Sequence, residues 1–218
     1  MLWPTLCIDN FFQNPESIIN FSKKLEFTKT QGFWPGERTK CLSTIDINFF
    51  NSSTNKIIKS LYPDSSNMNI RWNANQYFQK IKTDEHKLAG FIHQDIDCEF
   101  TSIIYLSDEK EAGTALFKKI KDPVPSHTEI KQKGYLETNN QNKKYFKKAL
   151  KQNRDCFLKT LEFSSLKNRM ILFDSSNFHG VNNFGKKQKE RLTLITFFTN
   201  IVRLDAPLRF HVNESTKL

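Results

Sequence analysis

The chain has 218 residues, 38% hydrophobic and 13% aromatic with twenty Phe, enough to bury a core and to exclude wholesale disorder. Seven Gly and seven Pro exclude a collagen-like or low-complexity chain, and no apolar run reaches the ~20 residues of a membrane helix. The net charge is +10, and nine of those charges fall between Lys118 and Arg169, where fourteen basic residues meet five acidic ones.

The first residues, Met1 to Asp9, lack a basic n-region, so no signal peptide is expected. Asn14-Pro15-Glu16 opens a helix, with Asn at the cap, Pro in the first turn and Glu at the positive end of the dipole. Ile18, Phe21, Ser22 and Leu25 continue it as one mostly apolar stripe. Phe33-Trp34-Pro35-Gly36-Glu37-Arg38 is a turn flanked by aromatics. It reads either as a structural turn with a surface arginine or as the lip of a site. A short helix is expected over Asn55 to Leu61, and Ser65-Ser66-Asn67 marks a change of pattern. From Arg71 to Ile81 the chain alternates, with Asn73, Asn75, Tyr77 and Gln79 on one face and Trp72, Ala74 and Phe78 on the other. The polar face is either solvated or lines a site that supplies partners. Phe100 to Leu106, Gly113 to Phe117, Arg169 to Phe173 and Arg191 to Phe198 also read as strands. A helix is expected over Asn142 to Leu161, where Phe146, Leu150, Phe157 and Leu161 fall near helical spacing. The plan is mostly β (α+β), one domain over residues 1–218. Residues 1–68 form helical support and 118–168 a basic insertion within the β core. Cys7, Cys41, Cys98 and Cys156 are scattered, which suits a reducing cytosol better than a zinc ribbon or a disulfide framework. Cys98 reads as a small buried hydrophobe.

Chemistry concentrates in two places. His93-Gln94-Asp95 sets two metal-type ligands at i and i+2, the same face of a strand. His179 follows the apolar strand Met170 to Phe173. Two imidazoles and one carboxylate suit non-haem Fe(II). Arg191 and Thr193, two apart on the next strand, pair a guanidinium fork with a hydroxyl, which suits a buried carboxylate. With five His and eleven Asp in the chain, a His-x-Asp triplet alone is weak. His127-Thr128-Glu129 is a rival in a Pro-containing basic stretch. Lys186, Lys187 and Lys189 rival Arg191 but read as an exposed turn, and His86 and His211 have no matching context.

These residues resemble the 2-oxoglutarate- and Fe(II)-dependent oxygenases of the double-stranded β-helix (jelly-roll) fold, and within them the prolyl-hydroxylase-like branch. The resemblance runs from about Arg71 to Asn200. It rests on Phe91 to Asp95, Thr101 to Asp108, the turn Glu111 to Phe117 with Ala112 in place of the first Gly, Arg169 to His179, and Arg191-Leu192-Thr193. It implies that His93, Asp95 and His179 hold Fe(II). Arg191 and Thr193 would bind the distal carboxylate of 2-oxoglutarate, with Tyr105 helping or serving as a core aromatic. Tyr77, Gln79 and Asn75 would line the barrel mouth, where Tyr77 and Gln79 would help bind the dicarboxylate unless that face is solvated. It further implies O₂ as oxidant, hydroxylation of a C–H bond in a peptide or small molecule, and succinate and CO₂ as co-products.

Two alternatives stand beside this reading. The basic 118–169 region suits nucleic acid, as in an AlkB-like demethylase, although Phe197 occupies the place of that branch's second arginine. The other is a non-enzymatic jelly-roll or basic nucleic-acid-binding module. A lysine-rich helix facing solvent is the simpler account of the charge. No membrane partner is expected, and the location expected is cytoplasmic.

Overall fold

The computed structural model describes residues 3–29, 34–63, 70–82, 89–95, 97–122, 140–184 and 190–202. Its architecture is a jelly roll of two antiparallel sheets. Strands β1 (Leu6–Ile8), β2 (Thr28–Lys29), β3 (Glu37–Arg38), β4 (Arg71–Lys82), β5 (Phe100–Tyr105), β8 (Met170–Asp174) and β10 (Glu190–Val202) form the larger sheet, in the order β1-β8-β5-β10-β4-β3-β2. Strands β6 (Glu109–Lys119), β7 (Phe157–Ser165) and β9 (Phe178–Asn183) form the smaller one, in the order β7-β6-β9.

The helices cover the outer face of the large sheet. Helix α1 (Pro15–Ser22) is capped as expected, with Asn14 Oδ1 accepting from Ser17 N at 3.1 Å. Helix α2 spans Ile47–Leu61, eight residues more at its start than the periodicity indicates. Asp46 caps it by accepting from Phe49 N at 2.9 Å. Its weak-propensity run Asn51-Ser52-Ser53-Thr54 is held by tertiary bonds. Ser53 Oγ donates to Gln76 Oε1 at 2.8 Å, and Gln76 Nε2 donates to Thr196 Oγ1 at 2.8 Å. Ile57, Ile58 and Leu61 of α2 pack with Phe78, Phe100, Ile104, Leu194 and Phe198 as the main core. Leaving such residues exposed would forfeit roughly 1.5–3 kcal/mol each.

A second, smaller core fills the space between the sheets: Ile103, Tyr105, Leu116, Phe163, Ile171, Phe173 and Ile195. Alternation along β5 and β10 sends even-numbered residues to the helical side and odd-numbered ones into the sandwich. Thr101, Tyr105, Arg191 and Thr193 therefore face the interior of the roll.

The helix expected over Asn142 to Leu161 is two elements. Helix α3 spans Asn140–Arg154 and stops; Phe157 and Leu161 belong to β7. The apolar spacing fits both structures. Tertiary bonds decide it, because Asn153 and Arg154 bond the backbone of Ile92 and Gly90 while β6 pairs with β7 from Phe157 to Ser165, with two register shifts. Residues 123–139 of the basic stretch, with His127 and Glu129 among them, lie outside the described residues, as do His86, His211, Lys186, Lys187, Lys189 and Phe33.

Candidate metal centre

His93 and His179 are brought together by the backbone. Their residues form an isolated antiparallel bridge, with His93 N donating to His179 O at 3.0 Å and His179 N to His93 O at 2.8 Å. Directly opposed residues present their side chains on one face, and the two ring centroids are 4.5 Å apart. Gly180 makes this approach possible: a Cβ there would sit 2.9 Å from Phe91 O. On the other side of the Gly90–His93 segment, Asn153 of α3 takes the place of a strand. Its Oδ1 accepts from Ile92 N at 2.8 Å and its Nδ2 donates to Ile92 O at 3.1 Å. Arg154 adds a bond from Nη1 to Gly90 O at 2.9 Å.

Asp95 completes the cluster. Its Oδ1 is 3.7 Å from His93 Nε2 and its Oδ2 is 3.4 Å from His179 Nε2. One ligand atom from each of the three residues lies within 4.8 Å of the others. Each histidine turns Nδ1 to a carbonyl, His93 to Phe91 O at 2.9 Å and His179 to Asn177 O at 3.0 Å. A neutral ring donating through Nδ1 leaves the Nε2 lone pair free, which is how ligand histidines are oriented. Thr101 Oγ1 donates to Asp95 Oδ2 at 2.6 Å and fixes the carboxylate. The donor set of two imidazoles and one carboxylate fits a divalent metal ion, which these three residues would hold.

The cluster opens on a cavity of about 960 Å³ between the sheets. Arg191, Tyr77, Gln79 and Asn75 line it along with the three ligand-type residues. Tyr105 and Thr193 do not line it; both are fully buried. Arg191 is 3% exposed, with its guanidinium carbon 5.4 Å from the Tyr105 ring. Burial pulls its pKa down and pushes the Tyr105 hydroxyl up. The Tyr105 hydroxyl donates to Thr114 Oγ1 at 2.9 Å. Arg191 Nε and Thr193 Oγ1 are buried and have no protein partner. Buried donors of this kind are rarely left unmet, so this end of the cavity suits an anion.

Gln79 is less available than its position on the polar face suggests. Its Nε2 donates to Pro35 O at 2.7 Å and its Oε1 accepts from Arg38 Nη2 at 3.3 Å. Arg38 itself is not a surface residue. It lines the cavity, its guanidinium carbon 4.0 Å from the Trp34 ring centroid and 5.5–5.7 Å from those of Phe197 and Tyr77. Gly36, at φ +79°, allows the turn that carries it; a Cβ there would lie 2.0 Å from Lys80 O. Cys98 also lines the cavity, and burial, then Asp95 and Asp97, push its thiol up to about 11. Thr101 and Thr114 are contributors that sequence reasoning did not assign, and Arg38 is one for which it left a surface turn and the lip of a site both open; it lines the cavity. Their signal is positional: each faces inward on a strand whose pairing is set by residues far along the chain.

Solved structures share this architecture. HygX from Streptomyces hygroscopicus, with nickel and 2-oxoglutarate bound, aligns at a TM-score of 0.55 and 13% identity, over 89% of this chain and 82% of that one. The non-haem alpha-ketoglutarate-dependent epimerase SnoN from nogalamycin biosynthesis aligns at 0.55 and 6% identity, over 91% and 79%. A prolyl hydroxylase from Trichoplax adhaerens, in complex with a peptide fragment of hypoxia inducible factor, aligns at 0.51 and 13%, over 89% and 82%. At these identities the likeness establishes the fold. No curated protein matches the sequence. Residues 3–198 match the model of a family of unknown function, DUF6445, and the chain belongs to that family.

Proposed function

We propose that this protein is an Fe(II)- and 2-oxoglutarate-dependent oxygenase. The observation that carries the reading is one cavity holding His93, Asp95 and His179 together and, on the adjoining sheet, a buried arginine with an unmet donor. His93 Nε2, His179 Nε2 and one Asp95 oxygen would hold the metal. Arg191, which lines the cavity, would bind the distal carboxylate of 2-oxoglutarate, with the buried Thr193 hydroxyl two residues on assisting from behind the cavity wall. Tyr105 supports Arg191 from below, its hydroxyl held by Thr114. When bound, the ferrous ion would activate O₂, the oxidant: 2-oxoglutarate would supply two electrons on decarboxylation to succinate and CO₂, and the substrate C–H bond the other two, so that one oxygen atom enters succinate and the other the substrate. The chain's own work is to fix the ligands, neutralise the dicarboxylate and keep water out. The apolar walls Phe91, Ile103, Val181 and Ile195 serve the last purpose. The solved structures with nickel, 2-oxoglutarate, peptide or small-molecule enzymes on this fold support the reading. The substrate is a peptide or a small molecule by the same analogy.

The test is succinate formation from 2-oxoglutarate and O₂ without added substrate. Wild type turns over slowly; His93→Ala and His179→Ala do not. Arg191→Ala keeps its metal and binds 2-oxoglutarate at least about thirtyfold more weakly, the equivalent of about 2 kcal/mol for a buried charged contact. Succinate formed at the wild-type rate by both histidine variants would overturn the proposal.

A further inference from the structure

Arg38 has no role in the chemistry proposed above, yet its environment is built. Three aromatic rings surround the guanidinium, and Gln79, itself held by Pro35 O, accepts from Nη2. The Nε atom is buried and has no protein partner, and Arg38 forms no ion pair with any described residue. Burial lowers its pKa to about 10, and Tyr77 and then Asp95 offset that only in part. The charge is therefore poorly compensated where it sits.

Counting charges in the cavity says what is missing. In the proposed holoenzyme, Fe(II), Asp95, the 2-oxoglutarate dianion and Arg191 sum to zero with neutral histidines, and Lys29 and Asp97, which also line the cavity, offset each other. Asp95 is committed to the metal. Arg38 is separated from Arg191 by strand β4, since Arg38 pairs with Gln79 and Arg191 with Ile81. It faces the same cavity from the side of the β3 turn. One positive charge is left over, with an open donor edge and apolar walls.

We propose that Arg38 recognises a carboxylate of the primary substrate, borne next to an apolar group that packs on Trp34, Tyr77 and Phe197. This rests on the oxygenase reading for the assignment of Arg191 and Asp95. A guanidinium offers two parallel donors to a carboxylate, a match that an ammonium or a neutral amide lacks. Gln79 is then a positioning residue that keeps the fork aimed inward, and the rings set the preference for an apolar neighbour.

The probe is benzoate, with benzamide as its neutral counterpart, titrated against protein saturated with Ni(II) and 2-oxoglutarate at constant ionic strength. Binding is read by tryptophan fluorescence, with Trp34→Phe identifying the reporter. Wild type is expected to bind benzoate at least tenfold more tightly than benzamide. Arg38→Gln should lose at least tenfold for benzoate while keeping its affinity for benzamide and for 2-oxoglutarate. Equal affinity of wild type for the two probes, which needs no variant, overturns the proposal. So does loss of 2-oxoglutarate binding in Arg38→Gln but not in Arg191→Gln, which would assign Arg38 to the co-substrate. Failure of wild type to bind 2-oxoglutarate at all is seen in the preceding titration. That result strikes the oxygenase reading, and the apo protein then tests Arg38 by the same benzoate comparison.

Discussion

Thr101 shows how much of the site depends on single atoms. Its hydroxyl donates to Asp95 Oδ2 at 2.6 Å from a fully buried position on β5, with Ser175 Oγ at 3.2 Å behind it. Replacing Thr101 by Val keeps the shape and removes the bond. Groups that orient metal ligands are worth about tenfold or more in metal affinity, so Thr101→Val should weaken Ni(II) binding by about that factor with unchanged circular dichroism. Wild-type affinity in calorimetric titration would contradict the role. At this scale the sequence was legible where chemistry is local. The spacing of His93 and Asp95, weak alone, points to a site together with His179 and with Arg191 and Thr193 on one face of a later strand. Thr101 does not, because nothing near it in sequence says what it faces. Arg38 reads as a surface turn residue or as part of the lip of a site, and the pairing of β3 with β4 decides for the cavity.

Among the elements, α3 carries an unexpected responsibility. A lysine-rich helix reads as a solvated surface, and Lys144, Lys147, Lys148 and Lys151 do lie exposed. Its last turn, however, supplies Asn153, whose buried amide bonds both backbone groups of Ile92, next to His93. Asn153→Ala leaves an N–H and a C=O unmet, a loss of about 2 kcal/mol. For a chain of this size that corresponds to roughly 4–8 °C in Tm. It should also lower metal affinity, and a variant with wild-type Tm and metal affinity would show the clamp to be idle. The N-terminal strand is held differently. Arg169 Nε and Nη2 donate to the two oxygens of Asp9 at 2.6 and 2.9 Å, next to the β1–β8 ladder. That bond holds the Asp9 carboxyl below the usual carboxylate range. Its stabilisation is present above about pH 4 and is lost as pH falls through the lowered value. Asp9 is mostly exposed, so the difference between wild type and Asp9→Asn should be within about 1 kcal/mol at pH 7. In urea titrations it should shrink towards zero near pH 2; a constant difference would exclude the ion pair as its cause. Strands β4, β5, β8 and β10 were legible from alternation or apolar runs. Strands β2, β3 and β9 were not, since two-residue ladders and a polar Asn-containing strand carry little period-2 signal.

For the whole molecule, the two sheets explain why ligands so far apart in sequence meet. The large sheet brings Arg191, Gln79 and Arg38 to one wall, and the edge of the small sheet brings the bridge of His93 and His179 to the other. The cavity between them is shaped by pairings that only the complete roll sets up. No helix among the described residues is long and apolar enough to cross a membrane. Among the described basic residues of the 118–169 region, Arg154 reaches the segment that carries His93, by donating to Gly90 O. The central claim is that His93, Asp95 and His179 bind one metal ion, and anaerobic equilibrium dialysis against Fe(II), with iron measured per chain, tests it most directly. The account predicts one ion per chain for wild type and affinity at least about a hundredfold weaker for a folded His179→Ala. Iron bound by His179→Ala as tightly as by wild type would contradict it.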